Sequence, residues 1–235
     1  MKIIKEVCVD TIDDAVKAFN KGADRIELCS NLDQDGLTPK VEILKKIKSL
    51  ISIPVRVMIR PHSKSFVYDK KDINEMTNSI EFCKKENFDG VVFGCLKEDF
   101  ELDIQKINYL AEIANPLNVI VHKAIDLTIS PTESLRNLLK LNNINGVLTS
   151  GGCKSAKLGV STLKQMISLS PKDFEIIAAG KITNNNLILK AQLFSDEGDE
   201  SFDYKFTGSD VDATNIGKIV GEKLLNLAGK KFKTR

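Results

Sequence analysis

The sequence predicts an α/β fold, a single closed (β/α)8 barrel, on two observations. Eight short apolar runs, each followed by a segment with helical spacing, succeed one another from end to end of the 235 residues, as in a parallel sheet jacketed by helices. The turns that restart strands also resemble one another: NKGADRIEL, ENFDGVVFG and LNNINGVLT. A doubly wound open sheet shares the alternation, but eight units in this length favour closure.

In chain order, the first strand (3–9) places Ile4, Glu6 and Cys8 on one face, because strand side chains alternate. A helix over 11–21 ends at Gly22, which suits a left-handed cap. The second strand (25–29) puts Arg25, Glu27 and Cys29 together. Thr38-Pro39 reads as a capping hydroxyl before a first-turn proline, opening a helix over 40–50. The third strand (55–59) sets Arg56, Met58 and Arg60 opposite Val55, Val57 and Ile59.

A helix over 70–87, a strand over 90–93 and a helix over 103–114 follow. The fifth strand (119–121) leads to His122 on the face of Ile120, with Lys123 on the face directed toward the helices. Ser130-Pro131-Thr132-Glu133 opens a helix over 131–142 by the same capping logic. The sixth strand (146–148) runs into Thr149-Ser150-Gly151-Gly152, before a helix over 156–169. The seventh (175–178) runs into Gly180, before a helix over 183–194. An acidic loop over 195–203 precedes the eighth strand (204–207), which ends at Gly208-Ser209. A helix over 211–228 and a frayed basic tail over 229–235 complete one domain spanning 1–235.

Composition bounds the function. Hydrophobic content of 42% and charged content of 28% describe a globular chain able to bury a core. The net charge of +2 comes from 34 basic and 32 acidic residues that are interspersed, which argues against nucleic acid or an anionic membrane as partner. MKIIKEVCVD meets charge too soon for a signal peptide, so a cytoplasmic location is expected. Five cysteines without a CxxC pair point to free thiols in a reducing compartment.

Inward-facing polar residues imply that Glu6, Glu27, Arg25, Arg56 and Arg60 interlock, since a lone buried charge is costly. Charge at strand C-termini in this architecture usually belongs to a site. The candidates for chemistry are Glu6, Glu27, His122 and Asp126 for proton transfer, with Arg25 and Arg60 to hold a carboxylate or phosphate. Ser150, Gly151, Gly180, Gly208 and Ser209 lie in turns that expose backbone N–H groups to an anion. His62 is expected to be solvated, and Phe66 and Tyr68 to belong to a packed loop at the barrel mouth. Cys83 and Cys95 are expected to be structural, and Cys153 exposed.

The succession EVCVD, GADRIELCSN, GLTP, VMIRP, DGVVFG, VHKAID and GVLTSGG resembles the CutC family, named for copper homeostasis, from Glu6 through AAGKIT. The resemblance implies a single-domain barrel, often a homodimer, with Cys8 and Cys29 as ligands of copper(I). Soft thiolates suit that ion, and Met58 or His122 could assist.

The chain departs from the family pattern in three loops. It has His62, Ser63, Lys64 and Ser65 where an arginine and Gly-Gly-Asp are usual. It has Ala178-Ala179-Gly180 before Lys181 where three glycines are usual. It has Thr207-Gly208-Ser209-Asp210 where a histidine and serines are common. Two functions therefore stand side by side: copper(I) binding, and a lyase- or isomerase-type enzyme acting on a small anionic or phosphorylated metabolite.

Overall fold

The structure is a computed structural model that describes residues 4–182, 187–194, 201–208, 218–220, 222–223 and 226. Two compact units are present, Met1–Lys181 and Ile182–Arg235, where the sequence reading has one barrel.

The first unit holds seven strands: β1 (Glu6–Val9), β2 (Arg25–Leu28), β3 (Val55–Met58), β4 (Gly90–Phe93), β5 (Asn118–Val121), β6 (Gly146–Thr149) and β7 (Glu175–Ala178). They pair in chain order and all in parallel, with β1 and β7 as the edges of the sheet. Six helices connect them: α1 (Ile12–Asn20), α2 (Val41–Lys48), α3 (Lys70–Lys85), α4 (Ile104–Ala114), α5 (Pro131–Leu138) and α6 (Val160–Leu169). Two short 3-10 segments, Leu32–Gln34 and Lys123–Leu127, follow β2 and β5.

The helices start where polar caps satisfy free backbone N–H groups. Thr11 caps α1 and Ser130 caps α5, with Pro131 in its first turn. Asp69 and Asp72 form a capping box on α3. Gly22 takes φ +82, as its place after α1 requires. Thr38 does not cap α2, whose N-cap position is Lys40 and carries no side-chain cap bond. Its hydroxyl instead accepts the Arg60 N–H at 2.8 Å, tying the loop after β2 to the end of β3.

Curvature is the feature that creates an interior. Glu175 on β7 accepts from Arg25 Nη2 and from Arg56 Nη2, each at 2.6 Å. In a flat sheet β2 and β7 would stand about 24 Å apart, so the seven strands curl into a half-barrel. The curl stacks two inner layers. The lower one, near the N-terminal strand ends, is ionic: Glu6 accepts from Arg25 Nε and from Arg56 Nη1, and both arginines share Glu175. Above it Cys29, Met58, Val92 and Ile120 pack with Leu148 and Ile177. The opposite faces of the strands, including Val57, Val91, Val119 and Val147, pack under helix residues such as Ile80, Leu110 and Leu135.

Glycine makes room for the ionic layer. A Cβ on Gly146 would sit 2.5 Å from the Glu175 carbonyl oxygen, and one on Gly90 would sit 2.6 Å from that of Asn118. No side chain fits at either place.

The second unit departs from the expected pattern. The segment expected as a helix over 183–194 contains a strand, β8 (Leu187–Phe194), which pairs antiparallel with β9 (Ser201–Gly208), Leu187 facing Gly208 and Phe194 facing Ser201. The expected eighth strand at 204–207 thus belongs to a hairpin, and the parallel sheet has seven strands among the described residues. The expected acidic loop over 195–203 also loses 201–203 to β9. Leu187, Ile188, Ala191 and Phe194 fit a helical face, and a short apolar run does not by itself separate helix from strand. Phe202, Tyr204 and Phe206, however, alternate with period two, the strand signal. Of the helix expected over 211–228, the described residues 218–220, 222–223 and 226 are helical; the rest of it and the tail over 229–235 lie outside the described residues. No helix among the described residues is long and apolar enough to cross a membrane.

Replacing Arg56 by methionine leaves Glu6 and Glu175 short of a partner. Urea unfolding should show a loss of about 3 kcal/mol, and a loss near zero would mean that the ionic layer does not hold the curl.

Candidate functional site

The cysteine pair comes first in the chain. Cys8 on β1 and Cys29 just past β2 turn their sulfurs toward each other, 3.8 Å apart. Cys29 is fully buried and its thiol lies 3.4 Å from the Val9 carbonyl oxygen. Cys8 is exposed as a residue, yet its sulfur faces inward. The hydrogen bond shared with Cys29, then desolvation and the charge of Glu27, raise its pKa far above the ordinary thiol value. Met58 packs in the same layer as Cys29. Gly36 at φ +81 lets the loop after β2 approach both: a Cβ there would lie 3.4 Å from Cys29 Sγ and 3.8 Å from Met58 Cε. A cavity of about 290 Å³, at the C-terminal ends of β1 to β3, is lined by Cys29 with Asp10, Ser30, Thr38, Lys40 and Glu75.

Glu27 sits directly opposite Cys8 in the strand register. It is buried, and its Oε2 has no hydrogen-bond partner among the described residues. Burial and then the charge of Glu6 push its pKa up to about 7, against the opposing pull of Cys8 and two arginines. Glu27 is therefore a proton-holding carboxyl beside two thiols.

The second cluster is built around Asp126 in the 3-10 segment after β5. Asp126 accepts from Ser150 N–H at 2.9 Å, Gly152 N–H at 2.8 Å, Thr149 Oγ1 at 2.5 Å and Lys123 Nζ at 2.7 Å. Burial opposes its ionisation, but these donors prevail and hold its pKa below the ordinary carboxylate value. The turn expected to receive an external anion thus already holds the chain's own carboxylate. Gly151 N–H is likewise used, donating to Thr149 Oγ1 at 2.9 Å. Lys123 does not point to the helices as expected: its ammonium also donates to Ser150 Oγ at 2.8 Å, and a Cβ on Gly180 would lie 3.5 Å from it. Lys123 is therefore a cation at the mouth of β5 to β7.

The third cluster gathers around Phe66. Its ring lies 4.7 Å from the Arg60 guanidinium carbon and 4.8 Å from the His122 ring. His122 caps the 3-10 segment, its Nδ1 accepting the Ala124 N–H at 3.2 Å. Burial and then the charge of Arg60 press its pKa down to about 3, so the imidazole is neutral. His62 is not freely solvated: it is half-buried, 3.2 Å from Asp72 Oδ2, with its ring tilted against that of Tyr68.

The structure brings together some expected residues and separates others. Glu6 and Arg25 are the first residues of their strands and lie in the ionic layer at the N-terminal end, where this architecture places stability. Glu27 and Arg60 are not in that network, although they were expected there. Glu175 is, and sequence reasoning missed it; the alternation Glu175, Ile177 against Ile176, Ala178 carries the signal. Arg60, His122, Asp126, Ser150, Gly151 and Gly180 lie past the C-terminal strand ends. Gly208 ends the hairpin strand β9 instead of a barrel strand, and Ser209 lies outside the described residues. Cys83 and Cys95 are buried and Cys153 is half-buried.

A parallel half-barrel jacketed by helices, whose inner face carries a thiol pair and a buried carboxyl beneath a charged rim, defines a protein of the α/β half-barrel class. The family model described as "CutC family" matches residues 3–196, and the chain belongs to that family. It is 40% identical over 184 residues to the human protein named copper homeostasis protein cutC homolog, an alignment spanning 78% of this chain and 67% of the relative. It is 36% identical over 210 residues to the homolog from Dictyostelium discoideum, across 77% of this chain and 75% of that one. Among solved structures, a copper homeostasis protein CutC from Streptococcus agalactiae superposes with a TM-score of 0.73 at 25% identity, covering 77% of this chain and 90% of the other.

Two measurements check this electrostatic picture. The imidazole signals of His122 should not titrate between pH 5 and 8, and should report a protonated Nε2; a midpoint near 6.5 would contradict its burial. For Glu27, the unfolded chain releases its proton from about 4.5 upward while the folded chain keeps it to about 7. Stability should therefore fall as pH rises through that window, by up to about 3 kcal/mol, and Glu27→Gln should flatten the slope.

Proposed function

We propose that this chain binds copper(I) through Cys8 and Cys29 and serves copper homeostasis in the cytoplasm as a homodimer. The observation that carries the reading is the 3.8 Å separation of the two sulfurs on neighbouring strands. Thiolate and thioether ligands select soft copper(I), and the sulfur of Met58 belongs to the same layer as Cys29. No group of three or more His, Cys, Asp or Glu side chains able to hold a metal ion is assembled among the described residues. The names of the relatives support the reading, as does the cavity that reaches Cys29.

Loading copper(I) requires that both thiols release their protons. The pKa of Cys8 is raised above the ordinary thiol value, which opposes this release, so affinity should climb with pH. A reducing compartment would keep both sulfurs available.

An anaerobic copper(I) competition titration tests the proposal. The wild-type chain should bind a single tight equivalent, the Cys8→Ser/Cys29→Ser variant should lose it, and Cys153→Ser should keep it. Binding that survives the double variant, or that follows Cys153, removes the residue-level basis for copper.

A further inference from the structure

Arg60 carries a charge that no described residue neutralises. Its side chain is buried at 4% exposure, and its Nη1 donates only to backbone carbonyls, Gln34 at 2.7 Å and Gly36 at 3.1 Å. It takes part in none of the ion pairs among the described residues, and its Nε has no hydrogen-bond partner. The contrast with Arg56 is direct, for that guanidinium reaches two carboxylates. A buried cation without a counter-ion is costly to keep.

Two more donors without partners stand nearby. Because His122 Nδ1 accepts the Ala124 N–H, the ring proton resides on Nε2, which has no partner among the described residues. The hydroxyl of Tyr68, a residue at 2% exposure, has no well-formed hydrogen bond among the described residues and lies within reach of the Arg60 guanidinium alone. Arg60 is the common neighbour of both: its charge opposes the ionisation of His122 and eases that of Tyr68. Phe66 packs against Arg60 and His122 together, closing this part of the mouth with an aromatic ring.

The chemistry of the group is one-sided. Arg60 Nε–H, His122 Nε2–H and Tyr68 O–H can all donate, and the net charge is positive. Leaving such buried donors without acceptors is costly, and an acceptor bearing negative charge would satisfy them. The loop carbonyls already occupy the Nη1 side of Arg60, so the side left without a partner is the buried Nε edge, whose geometry suits side-on recognition of a planar or tetrahedral oxyanion.

We propose that Arg60, Tyr68 and His122, beneath Phe66, form a binding site for the carboxylate or phosphate group of a small molecule, separate from the cysteine pair. Arg60 supplies the charge, His122 and Tyr68 supply neutral donors that fix the orientation of the anion, and Phe66 excludes water above it. The Asp126 turn cannot take this role, because its donors are already engaged.

Thermal unfolding and calorimetry of the full chain with inorganic phosphate and, separately, with acetate, at constant ionic strength, test the site. At least one of the two should raise the melting temperature and move the His122 Nε2–H resonance; which one does so distinguishes phosphate from carboxylate. Tyr68→Phe, which keeps the ring, should weaken binding about tenfold, and Arg60→Met should abolish it. If Arg60→Met does not fold, Tyr68→Phe and His122→Gln carry the test. The Cys8→Ser/Cys29→Ser variant should bind the anion as the wild type does. Absence of any response to millimolar phosphate or acetate would mean that the donors hold only water, and the proposal fails. It fails equally if Tyr68→Phe and His122→Gln bind like the wild type, or if the cysteine variant loses the anion.

Discussion

Charge compensation inside a curled sheet is the constraint on which the rest of this structure depends. Glu175 is shared by Arg25 and Arg56, which also share Glu6. Four charged groups therefore neutralise one another in a space that glycines at 90 and 146 keep open. Because Glu175 lies on the last parallel strand and its partners on the second and third, satisfying these charges also fixes how far the sheet must bend. The thiol pair, the Asp126 turn and the Arg60 cluster all inherit their positions from that bend.

The interior is graded along the strands. The N-terminal layer is ionic and internally paired, the middle is apolar, and the C-terminal end keeps polar groups with unmet bonding capacity. Asp126 shows how such an end can be closed from within: a carboxylate of the chain occupies backbone donors that would otherwise attract a ligand. Arg60 shows the opposite case, in which the chain supplies donors and charge without the matching acceptor. Distinguishing the two needs the full set of partners, since both are marked in the sequence by polar residues after a strand.

Much of the first unit was legible in the sequence. The strand at 90–93 and that at 175–178 match in both bounds, and the others differ by a few residues at an end. Period-two alternation carries this, because an inner and an outer face leave their mark on every strand. Placement along the strand was less legible. Glu6 and Glu27 share a face pattern in sequence, but one is paired at the N-terminal end and the other is a proton-holding carboxyl beside Cys8. Alternation reports the face, whereas depth depends on the stagger between strands. The hairpin of Leu187–Phe194 and Ser201–Gly208 was missed because its first strand fits both periods, and pairing with a partner strand decides between them.

The two cysteines have a mechanical side as well. Cys8 belongs to a strand that, among the described residues, has a neighbour on one side only, while Cys29 follows the next strand inward. An ion held by both sulfurs would be a rivet between the rim of the sheet and its body. Fraying of β1 and release of the ion would then be one event, each opposing the other by mass action. With such an ion in place, the outermost described strand would be held to the sheet by sulfur as well as by its backbone hydrogen bonds.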